Sequence, residues 1–149
     1  MGRQGGGGAG TGDENHQFKA HKSAPHHIAH LTKHILQHYI YEHLHEELTL
    51  TALAKQVGLN PSYLSKLFSK EKGMSIKNFI IRAKVSTAEN LLRYSDFSCL
   101  DISLALGFSS QSAFISVFKK VNGITPKKFR ELHYLDVMEE NNNKGSANE

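Results

Sequence analysis

Residues 102–130 read ISLALGFSSQSAFISVFKKVNGITPKKFR, and the same skeleton stands once more upstream. The downstream marks are Ile102-Ser103, Gly107-Phe108, Phe114, Val117-Phe118, Gly123, Thr125 and Phe129. The upstream marks are Leu53-Ala54, Gly58-Leu59, Leu64, Leu67-Phe68, Gly73, Ser75 and Phe79. The offset is 49 positions through the turn pair Gly58-Leu59 and Gly107-Phe108 and 50 after it, so the copies differ by one residue inserted at the turn. Each copy has the marks of two short helices crossing steeply over a tight turn. Where the backbones approach, a small residue is needed, and Ala54 and Ser103 supply it. Four positions later Gly58 and Gly107 tolerate positive φ at the turn. The buried side of the second helix falls to Leu64, Leu67 and Phe68 in one copy, and to Phe114, Val117 and Phe118 in the other.

Outward from these units the apolar period is helical throughout, with no alternating strand pattern. A first helix is predicted from about Pro25 to Leu44, with Ile28, Leu31, Ile35, Tyr39 and Ile40 as its apolar stripe. Thr49 caps a second helix over about 50–57, ended by Gly58. Asn60 caps a third over about 61–72, stopped by Gly73, with Pro61 at the first helical position, where a missing N–H costs nothing. Ser75 caps a fourth over about 76–94, with Phe79, Ile80, Ala83, Ala88, Leu91 and Leu92 as its apolar face. Ser98 caps a fifth over about 99–106. A sixth spans about 110–122 and stops at Gly123. Thr125 and Pro126 open a seventh, through about Leu135. The fold class is therefore all-α, with seven helices forming two helix-turn-helix subdomains joined by a long linker helix. Two cores are expected, one around each repeat, with the fourth helix shared.

The domain boundaries follow from composition. Residues 1–22, with the glycine run Gly5 to Gly8, read as a disordered linker or expression scar. Residues 23–136 form the folded domain, with helix-turn-helix one at about 49–73, the linker helix at about 76–94 and helix-turn-helix two at about 98–123. Residues 137–149 read as a disordered acidic tail.

Charge is unevenly placed. Residues 51–130 hold 13 Lys and Arg against 4 Asp and Glu. A compact basic segment suits a polyanion. No run approaches the roughly 20 apolar residues that span a bilayer, and no signal peptide is expected. Cys99 is the only cysteine, which excludes an intramolecular disulfide and a multi-cysteine zinc site. A cytoplasmic location is expected.

The outward face of the third helix offers Ser62, Tyr63, Ser65, Lys66 and Ser69; that of the sixth offers Gln111, Ser112, Ala113, Ile115 and Ser116. These side chains suit major-groove edges. Gln can pair with adenine bidentately, Lys meets guanine acceptors, Ser is permissive and Ala can touch the thymine methyl. Copy one, with Lys66, Lys70 and Lys72, is expected to anchor more strongly than copy two.

Other chemistry is thin. His26, His30, His34 and His38 recur every four residues on the first helix, the spacing of a chelating pair. No carboxylate or cysteine is placed to complete the set, so a solvent-facing stripe is expected and no metal or cofactor is assigned. Cys99 aligns with Leu50 and reads as a buried apolar position. With no carboxylate pair or phosphate loop, no enzyme is expected.

These residues resemble the AraC/XylS family of bacterial transcription regulators, over about Ile35 to Leu132. The most specific stretch runs from Gly107 to Phe114, then Phe118-Lys119-Lys120, Gly123, Thr125-Pro126 and Phe129-Arg130. The first copy fits through Tyr63 to Phe68 and Gly73-Met74-Ser75. Lys84 stands where the family usually has Arg, keeping charge but losing the bidentate fork; Ile76 and Ser103 are milder departures. The resemblance implies base contacts at Ser62, Ser65, Lys66, Gln111, Ser112 and Ser116. It implies phosphate contacts at Lys70, Lys119 and Lys120, with Lys84 and Arg82 beside them. It also implies an N-terminal ligand-binding or receiver domain in most full-length relatives, so the chain reads as a C-terminal fragment, with a naturally short regulator controlled by its abundance as the alternative.

The expected function is sequence-specific binding of double-stranded DNA in successive major-groove segments, regulating transcription by a chain that is monomeric in this form. RNA polymerase is a possible second partner, and a module for an acidic protein partner is the alternative. A linker helix of 19 residues is about 28 Å long, against about 34 Å between major-groove segments on one face. Either the DNA bends toward the protein, at about 1–6 kcal/mol, or one reader sits imperfectly.

Overall fold

The computed structural model describes residues 26–146. The expected linker, residues 1–22, and residues 147–149 of the expected tail lie outside the described residues. Among those described, seven helices follow one another: α1 His26–Glu42, α2 Leu50–Val57, α3 Pro61–Lys72, α4 Ile76–Tyr94, α5 Cys99–Ala105, α6 Gln111–Asn122 and α7 Pro126–Ser146. The fold is all-α, with two helix-turn-helix units, α2–α3 and α5–α6, on either side of α4.

Local chemistry sets the helix ends. Thr49 Oγ1 accepts from the Ala52 amide at the start of α2, and Ser98 Oγ accepts from Asp101 at the start of α5, where Asp101 also closes a capping box. Asn60 and Ser110 cap α3 and α6, and Ser75 and Thr125 cap α4 and α7. Each such cap stabilises its helix by about 1 kcal/mol. The two turns superpose bond for bond. Gly58 and Gly107 take φ of 67° and 69°. The following amides donate back over 2.9 Å, Leu59 to the Ala54 carbonyl and Phe108 to the Ser103 carbonyl. Ser109 is the inserted residue; it lengthens the second turn by one position before the cap at Ser110.

Packing repeats as well. Leu53 and Ile102, Ala54 and Ser103, Leu64 and Phe114, and Phe68 and Phe118 are buried at matching positions. The Phe68 ring meets Phe79 edge-on at 5.4 Å, and Phe118 meets Phe129 at the same 5.4 Å. Ser103, buried where copy one has Ala54, donates its hydroxyl to the Leu100 carbonyl at 2.7 Å.

Four sequence expectations are corrected. The expected two cores are one continuous cluster running from Leu36 to Phe118. The reason lies in α4, whose first half buries Ile76, Phe79 and Ala83 while its second half buries Val85, Ala88 and Leu92. At 3.6 residues per turn these two stripes lie roughly half a turn apart, so one helix serves both repeats. On α1 and the turn after it the buried stripe is Ala29, Leu36, Ile40 and Leu44; of the expected stripe Ile40 is buried and Tyr39 half-buried, while Ile28, Leu31 and Ile35 are about half exposed. The true stripe is interrupted by Lys33, which reads as polar in sequence. In the fold its ammonium pairs with Glu71 of α3 at 4.0 Å and its stem is covered. Third, α7 continues as helix to Ser146 through most of the expected acidic tail. Residues 139–146 are all exposed; a helix already nucleated and packed at its start gains a backbone bond for each residue added. Finally, Cys99 is half-buried rather than buried, at the first position of α5.

Candidate nucleic-acid interface

Each unit presents the outward stripe of its second helix. On α3 the exposed residues after Pro61 are Ser62, Lys66, Ser69 and Lys70; on α6, after Gln111, they are Ser112, Ser116, Lys119, Lys120 and the apolar Val121. Val121 apart, the two sets coincide at an offset of 50, position for position. Helical spacing of i, i+4, i+7 and i+8 puts each set on one face. The opposite faces are committed to the core through Leu64 and Phe68, and through Phe114 and Phe118. The fold therefore leaves these stripes no internal role.

Of the base-contacting positions expected, Ser62, Lys66, Gln111, Ser112 and Ser116 are exposed. Ser65 is half-buried and lines a cleft between the two subdomains with Leu48, Leu50, Lys84 and Phe108. Gln111 is the first residue of α6, after the cap at Ser110, so its side chain stands where the helix leaves an unpaired amide edge and positive dipole end.

The cations fall into two groups. Lys70, Lys119, Lys120 and Arg82 are exposed. Lys84 is half-buried, with its ammonium 5.3 Å from the Phe108 ring centroid. Burial lowers its pKa from the ordinary 10.5, and the negative charge of Glu47 opposes that shift. Lys72, counted in the sequence as an anchor of copy one, is also half-buried and lies 5.3 Å over the Phe79 ring. Sequence reasoning missed Lys77, Lys127 and Lys128. Lys77 and Lys127 are each the second residue of the helix that follows a reading helix, both exposed and again 50 apart. The repeat offset, applied to the charges as well as to the apolar marks, was the signal that could have found them.

Arg130 is held inward. Its Nε donates to the Leu92 carbonyl at 3.1 Å, and Nη2 donates to the carbonyls of Ser95 and Phe97. One guanidinium thus ties α7 to the end of α4, where carbonyls have no helical partner. On α1, the ring nitrogens Nε2 of His30 and His34 approach to 3.0 Å. Among the described residues, no group of three or more histidine, cysteine or acidic side chains is gathered for a metal ion, and no helix is long and apolar enough to cross a membrane.

Comparison with known proteins gives a consistent picture. Residues 53–132 match the family model described as a helix-turn-helix domain. An uncharacterized HTH-type transcriptional regulator of Staphylococcus aureus is 38% identical over 86 residues, which are 58% of this chain and 12% of that protein. The regulatory protein PocR of Salmonella typhimurium is 37% identical over 86 residues, 58% of this chain and 28% of PocR. The chain thus spans well under a third of the length of these relatives. Among solved structures, the C-terminal domain of the two-component response regulator yesN from Fusobacterium nucleatum is 30% identical, with a TM-score of 0.63, covering 66% of this chain and 96% of that one.

Proposed function

The chain belongs to the AraC/XylS-type helix-turn-helix family of transcription regulators, and from that premise we propose that it binds double-stranded DNA in a sequence-specific manner and so regulates transcription. The observation that carries the reading is the pair of coincident stripes, Ser62, Lys66, Ser69 and Lys70 on α3, and Ser112, Ser116, Lys119 and Lys120 on α6. A helix-turn-helix places its second helix in the major groove. In this reading Ser62, Lys66, Gln111, Ser112 and Ser116 touch base edges, with Ser65 at the edge of the contact. Lys70, Lys119, Lys120, Arg82, Lys77 and Lys127 meet phosphates. Lys84 is left out of the phosphate set, because its ammonium is half-buried over Phe108.

Selection of bound DNA from a random pool tests the reading. It should return one asymmetric site with two windows about one helical turn apart, because the two stripes differ in sequence. Footprints should cover both windows. With about six to eight phosphates neutralised, log K should fall against log salt with a slope of about −5 to −7. Protection of a single window, or binding equally strong to scrambled DNA, would overturn it.

A further inference from the structure

The two turn glycines share a conformation but not an environment. A Cβ on Gly58 would meet nothing within 4 Å. A Cβ on Gly107 would lie 2.7 Å from the His45 carbonyl oxygen, 2.9 Å from the carbon of that group and 3.2 Å from the Leu44 carbonyl oxygen. All three are backbone atoms, so no side chain can swing aside. Gly58 is glycine for its positive φ alone. Gly107 is glycine also because the connection after α1, in the first subdomain, lies directly on the turn of the second.

Neighbouring residues close the same seam. Leu44, whose carbonyl takes part in that contact, and Leu106, next before the glycine, are both buried. Phe108, next after the glycine, lies under the Lys84 ammonium, with Glu47 near enough to act on that charge. A cleft of about 450 Å³, lined by Leu48, Ser65, Lys84 and Phe108 among others, runs beside the seam. The second subdomain is thus held at two places, along α4 and again at Gly107–Phe108. One helix alone can curve and twist along its length; a second point of attachment removes that freedom.

We infer that the packing of Gly107 on the Leu44–His45 backbone, braced by Lys84 against Phe108, locks the two reading helices at one separation and makes the spacing between DNA half-sites a specificity determinant of this chain. This rests on the DNA-binding reading above. Inserting or deleting one base pair between the windows moves one half-site by about 3.4 Å and rotates it by about 35°. A locked chain cannot follow. Gly107, Phe108 and Lys84 are positioning residues here; their effect is on where α6 stands, not on any base.

The test uses the full chain and the site returned by random selection, with spacers of the original length and one base pair longer or shorter. Wild type should lose at least about 30-fold in affinity on both altered sites. Lys84→Met and Phe108→Ala should reduce that penalty to under about fivefold, and Gly107→Ala should do so where it folds. Gly58→Ala, strained in the same φ but meeting open space, should keep the wild-type penalty. A uniform drop in affinity for Lys84→Met with the spacing penalty unchanged overturns the lock and returns Lys84 to the phosphates. Spin labels at Ser62→Cys and Ser112→Cys, in a Cys99→Ser background, test the lock without DNA. The distance distribution should be narrow, broaden with Lys84→Met or Phe108→Ala, and stay narrow with Gly58→Ala. Equal widths in all variants overturn the lock even if the chain binds DNA. Failure of wild type to select any sequence, beside a narrow distribution that broadens as stated, overturns the DNA reading and leaves the lock standing.

Discussion

Arg130 shows how much one side chain can hold. It donates to carbonyls of Leu92, Ser95 and Phe97 from a half-buried position. Hydrogen bonds from a charged donor are each worth about 1.5–3 kcal/mol, discounted here because the group is partly exposed. Arg130→Met should lower the unfolding free energy by about 2 kcal/mol in urea titration, and Arg130→Lys should recover only part of it, since an ammonium cannot fork between separate carbonyls. A full rescue by Lys would mean that charge, not the planar fork, is what matters. Lys84 gives a pH-dependent case. Burial lowers its pKa below 10.5 against the pull of Glu47. The folded chain therefore binds fewer protons at this site than the unfolded chain between the two pKa values, and this group's contribution to stability rises with pH up to about 10.5. Lys84→Met lacks the penalty at every pH. The stability of Lys84→Met relative to wild type should therefore be highest near neutrality and fall as pH climbs toward 10.5; a relative stability that rose with pH would reverse the sign. Residue identity alone did not reveal either role. Arg130 stands in the sequence only as the end of the family stretch Phe129-Arg130, and the carbonyls left open at the end of α4 explain it.

Among the elements, those with explicit punctuation were legible. Thr49, Asn60, Ser75, Ser98 and Thr125 cap the helices they were expected to cap, and Gly58, Gly73 and Gly123 end the helices they were expected to end. The bounds of α4 match the sequence reading to the residue. The α1 face was misread because periodicity counts apolar letters, and the letter that completes the real stripe is Lys33. Neutralised by Glu71 and buried along its stem, it behaves as a core position. Leu36→Ala should therefore cost about 2–5 kcal/mol, whereas Leu31→Ala should stay within about 0.5 kcal/mol. Thermal or urea denaturation of the two variants checks this, and equal losses would put the face back where periodicity drew it. The extent of α7 was equally hidden, because composition predicts whether a segment can pack, not whether an existing helix runs on into solvent.

For the molecule as a whole, the repeat declared both subdomains, and with them most of the candidate interface. What it could not declare was their union. Gly58 and Gly107 are the same letter at the same place in each copy, and nothing in the string tells which one meets a backbone. The merging of two small cores into one cluster through opposite stripes of α4 is a long-range fact of the same kind. Cooperative unfolding should follow: heat should melt both repeats in a single transition, with calorimetric and van't Hoff enthalpies agreeing, and a resolved second peak would show the repeats to be separable. Two histidines of α1, His30 and His34, carry a consequence for anyone handling the chain. Their Nε2 atoms at 3.0 Å stand close to the separation of two neighbouring donors on a divalent ion with bonds of about 2.0–2.1 Å, so untagged chain should be retained on a nickel-charged resin and elute early for His34→Asn.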